Sequence, residues 1–63
     1  MHKKKLTARE RQIARLVMNG LKSKEIAVGL EISVKTVDAH RANIYRKLGV
    51  HNAVQMLHKL KTA

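Results

Sequence analysis

Lys35, Asp38, Ala39, Ala42, Asn43 and Arg46 fall on one side of any helix that runs through them. At about 100° per residue that side lies opposite Val37, Ile44 and Leu48, the last two within about 20° of Val37. The outward set combines donors and acceptors that match the edges of DNA bases: Lys35 and Arg46 suit guanine, Asn43 suits adenine and Asp38 suits cytosine. Ala39 and Ala42 between them would let the backbone approach closely and touch thymine methyls. Asp38 has two readings that stay open. A carboxylate facing phosphates either accepts from a cytosine amino group or pairs with a neighbouring Arg or Lys and restrains nonspecific affinity.

A second group has the types that hold a phosphate. Lys22, Ser23 and Lys24 open a short helical pattern, where free amides, the positive end of the helix dipole and side-chain charge coincide. Thr36 and Lys47 are expected to add phosphate contacts from the longer helix. Arg41 sits on the inward shoulder of the wheel and has two open roles. It could contact phosphate, or pack its stem on the core with its head paired to a glutamate. Tyr45 fits a backbone contact or the rim of the core equally well.

The charge balance points the same way. The 63 residues carry 14 Lys and Arg against 4 Asp and Glu, a net charge of +10. Such an excess attracts polyanions. RNA recognition usually stacks bases on several aromatic rings, and the only aromatic residue here is Tyr45. A helix set lying on an anionic membrane is disfavoured by the absence of Trp and Phe and by apolar stripes that match one another as a core. No apolar stretch is long enough to span a bilayer. The lack of cysteine removes disulfides, zinc ribbons and thiolate catalysis. Glu10, Glu25, Glu31 and Asp38 are too scattered for a metal-dependent nuclease. His51 and His58 lack a third ligand at suitable spacing, and His40 lies among apolar positions. No catalytic site, metal or cofactor is expected.

These side chains need helices to position them. Thr7 with Glu10 has the form of a capping box, so a first helix begins at Ala8, buries Ile13, Leu16 and Val17, and ends before Gly20. A second is expected to open with Ser23 as N-cap and to bury Ile26, Ala27 and Leu30. A third, capped by Ser33, runs to Leu48 and closes at Gly49, with His40 beside its inward stripe. A fourth, from about His51 to Lys61, spaces Ala53, Met56, Leu57 and Leu60 as an amphipathic stripe. Ile32, Val34, Thr36 and Val37 hint at a strand, but no second alternating run exists to pair with it. The expected class is all-α: one domain over residues 1–63, a four-helix bundle containing a helix-turn-helix, its first five residues a flexible basic lead-in.

The order of residues also resembles a known family. Leu6-Thr7-Ala8-Arg9-Glu10, Gly20, Ser23-Lys24-Glu25-Ile26-Ala27, Leu30-x-Ile32-Ser33, Thr36-Val37, His40, Ile44-x-x-Lys47-Leu48 and Gly49-Val50 form a pattern similar to the LuxR/FixJ/NarL-type helix-turn-helix, over nearly the whole chain. The resemblance implies a bacterial, sequence-specific DNA-binding domain with its third helix in the major groove. Such domains are usually the C-terminal effector half of a transcription regulator, often a two-component response regulator. The family's base-reading positions correspond here to Asp38, Ala39 and Ala42, in agreement with the wheel.

The chain departs from the pattern at Asp38, where a basic residue is frequent, and at Ala53, where many members carry arginine. The resemblance implies a homodimer contact through the fourth helix, whose remaining strip is Val50, Val54 and His58. It also implies a cytoplasmic, nucleoid-associated protein, an N-terminal receiver or sensing domain outside this sequence, and RNA polymerase as a further contact.

Overall fold

Capping residues and apolar spacing place four helices in order: α1 (Ala8–Met18), α2 (Ser23–Leu30), α3 (Val34–Leu48) and α4 (Ala53–Thr62). The computed structural model describes residues 5–62, the side chain of Thr62 excepted. Of the expected basic lead-in, Met1, His2, Lys3 and Lys4 lie outside the described residues. Among the described residues there is no strand; the β-branched run at 32–37 forms a turn and the opening of α3.

The ends of the helices show which residues set them. The Glu10 amide donates to Thr7 Oγ1 at 3.1 Å and the Thr7 amide donates to Glu10 Oε1 at 2.8 Å, the reciprocal pair expected of a capping box. Ser33 caps α3, its hydroxyl accepting from the Thr36 amide at 3.0 Å. Two starts differ from expectation. The N-cap of α2 is Lys22 and not Ser23, because the backbone is already helical at Ser23 and Glu25 reaches back to accept from the Lys22 amide at 2.8 Å. Helix α4 starts at Ala53 and not at His51. There Asn52 accepts from the Gln55 amide at 2.8 Å while Gln55 accepts from the His51 amide at 2.7 Å, a polar clasp that holds the turn open until Asn52.

The turn between α2 and α3 is unusual. Glu31 closes α2 in the left-handed region, at φ 59° and ψ 43°, where glycine is the common choice. The local bonds explain how it is held: the Ile32 amide donates to the Ala27 carbonyl at 3.0 Å, over a Glu31 amide bonded to the Val28 carbonyl at 3.3 Å. At Gly49 (φ 71°) the same reversal falls on glycine, and the Val50 amide donates to the Tyr45 carbonyl at 2.9 Å.

Helix α3 is the centre of the packing. It packs against α1, α2 and α4, with α1 beside all three of the others. Ile13 and Ala14 of α1, Ile26 and Ala27 of α2, Val37 and Ile44 of α3 and Met56 of α4 form one buried cluster. Leu16, Leu30, Leu48, Leu60 and Tyr45 are half-buried against it.

One charged pair enters this core. Lys47 Nζ lies 2.7 Å from Glu10 Oε1 and joins α3 to α1, the Glu10 side chain being 6% exposed and that of Lys47 23%. Lys47 also donates to the Lys5 carbonyl at 3.3 Å. The hydrogen bond from Lys47, then that from the Thr7 amide, holds the Glu10 carboxyl below its ordinary value, against the opposing effect of burial. A carboxyl depressed in the folded state stabilises the fold above its unfolded pKa, and that contribution is lost as pH falls through the folded value. The thermal midpoint of the parent should therefore exceed that of Glu10→Gln at about pH 6, and the gap should narrow towards about pH 3. A gap independent of pH would mean that the pair contributes no charge-dependent stability.

Candidate nucleic-acid interface

The set expected to face the groove is exposed along α3. Lys35, Asp38, Ala39, Ala42 and Arg46 are open to solvent and Asn43 is half-buried, while Val37 and Ile44 are sealed beneath them. Arg46 Nη2 donates to Asn43 Oδ1, which ties two of the expected base readers to each other one turn apart. The middle of the face carries no side chain longer than a methyl at Ala39 or Ala42.

The start of α2 meets this face directly. Ser23 Oγ donates to Asp38 Oδ1 at 2.7 Å and accepts from Arg41 Nη1 at 2.9 Å. Arg41 Nε and Nη2 in turn donate to Tyr45 Oη at 3.1 and 2.9 Å. Asp38 thus has a partner of a kind not foreseen, a serine hydroxyl instead of a basic side chain. Arg41 takes Tyr45 and Ser23 in place of the glutamate suggested for it. Tyr45 is half-buried at the rim and serves as the acceptor that anchors the guanidinium. The spacing of Arg41 and Tyr45, four apart on one helix, could have suggested their contact. Nothing in the sequence brings Ser23 to them.

The expected phosphate ligands divide. Lys22 and Lys24 are exposed at the start of α2, where no side chain caps the first-turn amides, so amides, dipole and two cations remain together beside Asp38. Ser23 is half-buried and its hydroxyl is committed to Asp38. Thr36 is exposed, its hydroxyl 2.8 Å from that of Ser33. Lys47 does not join them. Its ammonium is held by Glu10, so in this structure it acts as a strut between α3 and α1.

Elsewhere, Val50 of the preceding turn and Val54 and His58 of α4, with Gln55 and Lys59, line one shallow apolar groove, and Val54 is 76% exposed. Ala53 is half-buried at the start of that helix. Among the described residues no group of three or more His, Cys, Asp or Glu could hold a metal ion, and no helix is long and apolar enough to cross a membrane.

Comparison with known proteins points in one direction. The family model described as "Bacterial regulatory proteins, luxR family" matches residues 4–60. The transcriptional regulatory protein UhpA of Salmonella typhimurium is 51% identical over 55 residues, covering 87% of this chain and 28% of that protein. The Fimbriae Z protein of the same organism is 43% identical over 61 residues, covering 97% of this chain and 29% of its own length. Among solved structures, the response regulator ChrA of a heme-sensing two-component system superposes with a TM-score of 0.91 at 34% identity, over 98% of this chain and 31% of that one. RcsB of Salmonella typhimurium, a response regulator studied for its DNA interaction, gives 0.89 at 33% identity over 95% and 29%. The chain thus spans less than a third of the length of these relatives.

Proposed function

The chain belongs to the luxR family of bacterial regulatory proteins as a DNA-binding domain of a transcription regulator, and we propose that it reads paired half-sites as a dimer, with α3 of each copy in the major groove. The observation that carries this reading is the bond between Ser23 and Asp38, which sets the uncapped start of α2 against the small-centred face of α3. A duplex seated on α3 then meets the α2 amides with its phosphates. Lys35, Asp38, Ala39, Ala42, Asn43 and Arg46 face base edges. Lys22, Lys24, Thr36 and the amides around Ser23 hold the backbone. The roughly neutral centre of α3 leaves affinity to the phosphate contacts and specificity to the bases.

Log affinity against log salt should fall with a slope of about −2 for each bound domain, from the two phosphates neutralised by Lys22 and Lys24. A slope near zero would exclude this mode. Selecting bound duplexes from a random pool, for the parent and for Asp38→Lys, gives the second check. A changed consensus assigns Asp38 to base reading, whereas uniformly tighter binding to all sequences makes it only an electrostatic brake.

The α4 groove supplies the two-fold contact in this reading, through Val50, Val54 and His58. A strip this small holds a dimer only weakly, so isolated domains pair on DNA and not before. Val54→Lys should reduce cooperative binding to a paired site about tenfold while leaving half-site affinity intact. Equal loss on both probes would place Val54 outside any dimer contact. In the full-length protein we assign the switch to a receiver or sensing domain, on the model of the response regulators it resembles, and place the protein in the cytoplasm with RNA polymerase as a downstream contact.

A further inference from the structure

The four side chains Tyr45, Arg41, Ser23 and Asp38 form a hydrogen-bonded line in which the donor of each bond is fixed. Arg41 has donors alone, so both Tyr45 Oη and Ser23 Oγ must accept from it. Ser23 has a single hydroxyl hydrogen, and with Arg41 donating to its oxygen that hydrogen goes to Asp38 Oδ1 at 2.7 Å. Bonds that run in one direction from a cation to an anion polarise each other and strengthen the chain. The line also spans two helices: Ser23 belongs to α2, the other three to α3.

We propose that Arg41 is a positioning residue for base recognition: through Ser23 it fixes the carboxylate of Asp38, so that one oxygen is occupied and the other is offered to a single donor on a base. The proposal rests on Asp38 as a base reader and adds what orients it. In the major groove a lone fixed acceptor favours the cytosine amino group. Guanine and thymine offer that acceptor only acceptors of their own, and adenine sets its N7 beside its amino group. The guanidinium two bonds away offsets part of the repulsion between Asp38 and the phosphates, which lets a carboxylate stand where basic residues are otherwise favourable. A freely rotating aspartate would lack both properties.

The test uses duplexes that vary only at the base pair selected by Asp38, with Arg41→Met, Tyr45→Phe and Asp38→Ala in the same chain. Arg41→Met keeps the packed stem and removes every donor. Tyr45→Phe removes only the anchor and protects the experiment if the first variant folds poorly. The parent should prefer its best base pair by about tenfold. Asp38→Ala and Arg41→Met should each reduce that preference to about twofold or less, Tyr45→Phe should fall between, and the salt slope should be unchanged. Adding Arg41→Met to Asp38→Ala should change the preference no further.

Three results overturn the proposal. If Arg41→Met weakens every duplex equally and lowers the salt slope by about one, Arg41 is a phosphate contact. If Asp38→Ala abolishes the preference while Arg41→Met and Tyr45→Phe retain it, Asp38 reads the base without help from Arg41. If Asp38→Ala itself leaves the preference at parental strength, the base-reading role fails and the positioning role with it.

Discussion

Ala42→Glu is expected to remove specific DNA binding by at least about 100-fold while leaving the thermal midpoint within a few degrees of the parent. Ala42 is exposed on α3 between Asp38 and Arg46, one turn from each, so in the proposed docking a new carboxylate there enters the closest approach to the duplex. It adds length where the surface is flat and negative charge where phosphates converge; like charges brought together in this way cost several kcal/mol. The fold has no reason to object, since glutamate is a good helix former at an exposed position. Ala42→Ser, which adds one small group and no charge, should bind within about fivefold of the parent. Titration of a selected duplex, with far-UV circular dichroism on the same samples, separates the outcomes. Binding by Ala42→Glu within tenfold of the parent would show that this face of α3 does not enter the groove.

Ile44→Ala should act on the opposite side of the same helix and lower the thermal midpoint by about 15 °C. Ile44 is 0% exposed and sits in the cluster that joins all four helices. Truncating a buried isoleucine to alanine costs about 3 kcal/mol, through lost transfer energy and a residual cavity. A domain of this size has only about 3–9 kcal/mol in total. Val28→Ala supplies the control, because Val28 is 74% exposed on α2 and should shift the midpoint by no more than about 3 °C. Saturating duplex DNA should recover part of the loss in Ile44→Ala, since a ligand that binds only the folded state stabilises it by about 2.7 kcal/mol at 100 times its Kd. A midpoint within about 5 °C of the parent, without DNA, would show that the four helices repack around the vacancy.

These two substitutions mark what could be seen in the sequence. Both stripes of α3 follow from a 3.6-residue period, and Thr7 with Glu10, Ser33 and Gly49 announce helix ends by local bonds that need no tertiary knowledge. The error at α2 arose where two local signals compete: serine is the better N-cap by type, yet Ser23 is drawn into the helix while Glu25 reaches back to Lys22. The start of α4 carried its own signal in Asn52 and Gln55, three apart, which the apolar stripe alone did not reveal. Glu31 in the left-handed region has no glycine to advertise it. The contacts of Lys47 with Glu10 and of Arg41 with Ser23 join residues far apart in the chain, and a wheel describes only one helix at a time. A lysine of α3 can therefore be tied to a glutamate of α1, and a shoulder arginine can sit at the centre of a polar chain.

The three-sided packing of α3 also decides which molecule yields when the two surfaces do not match. A helix wedged against α1, α2 and α4 is stiff compared with a duplex that can roll, twist and narrow at particular steps. The work of adaptation then falls on the DNA. Sites of equal contact chemistry would be ranked by how easily they deform, and base pairs that no side chain touches would acquire a preference of their own.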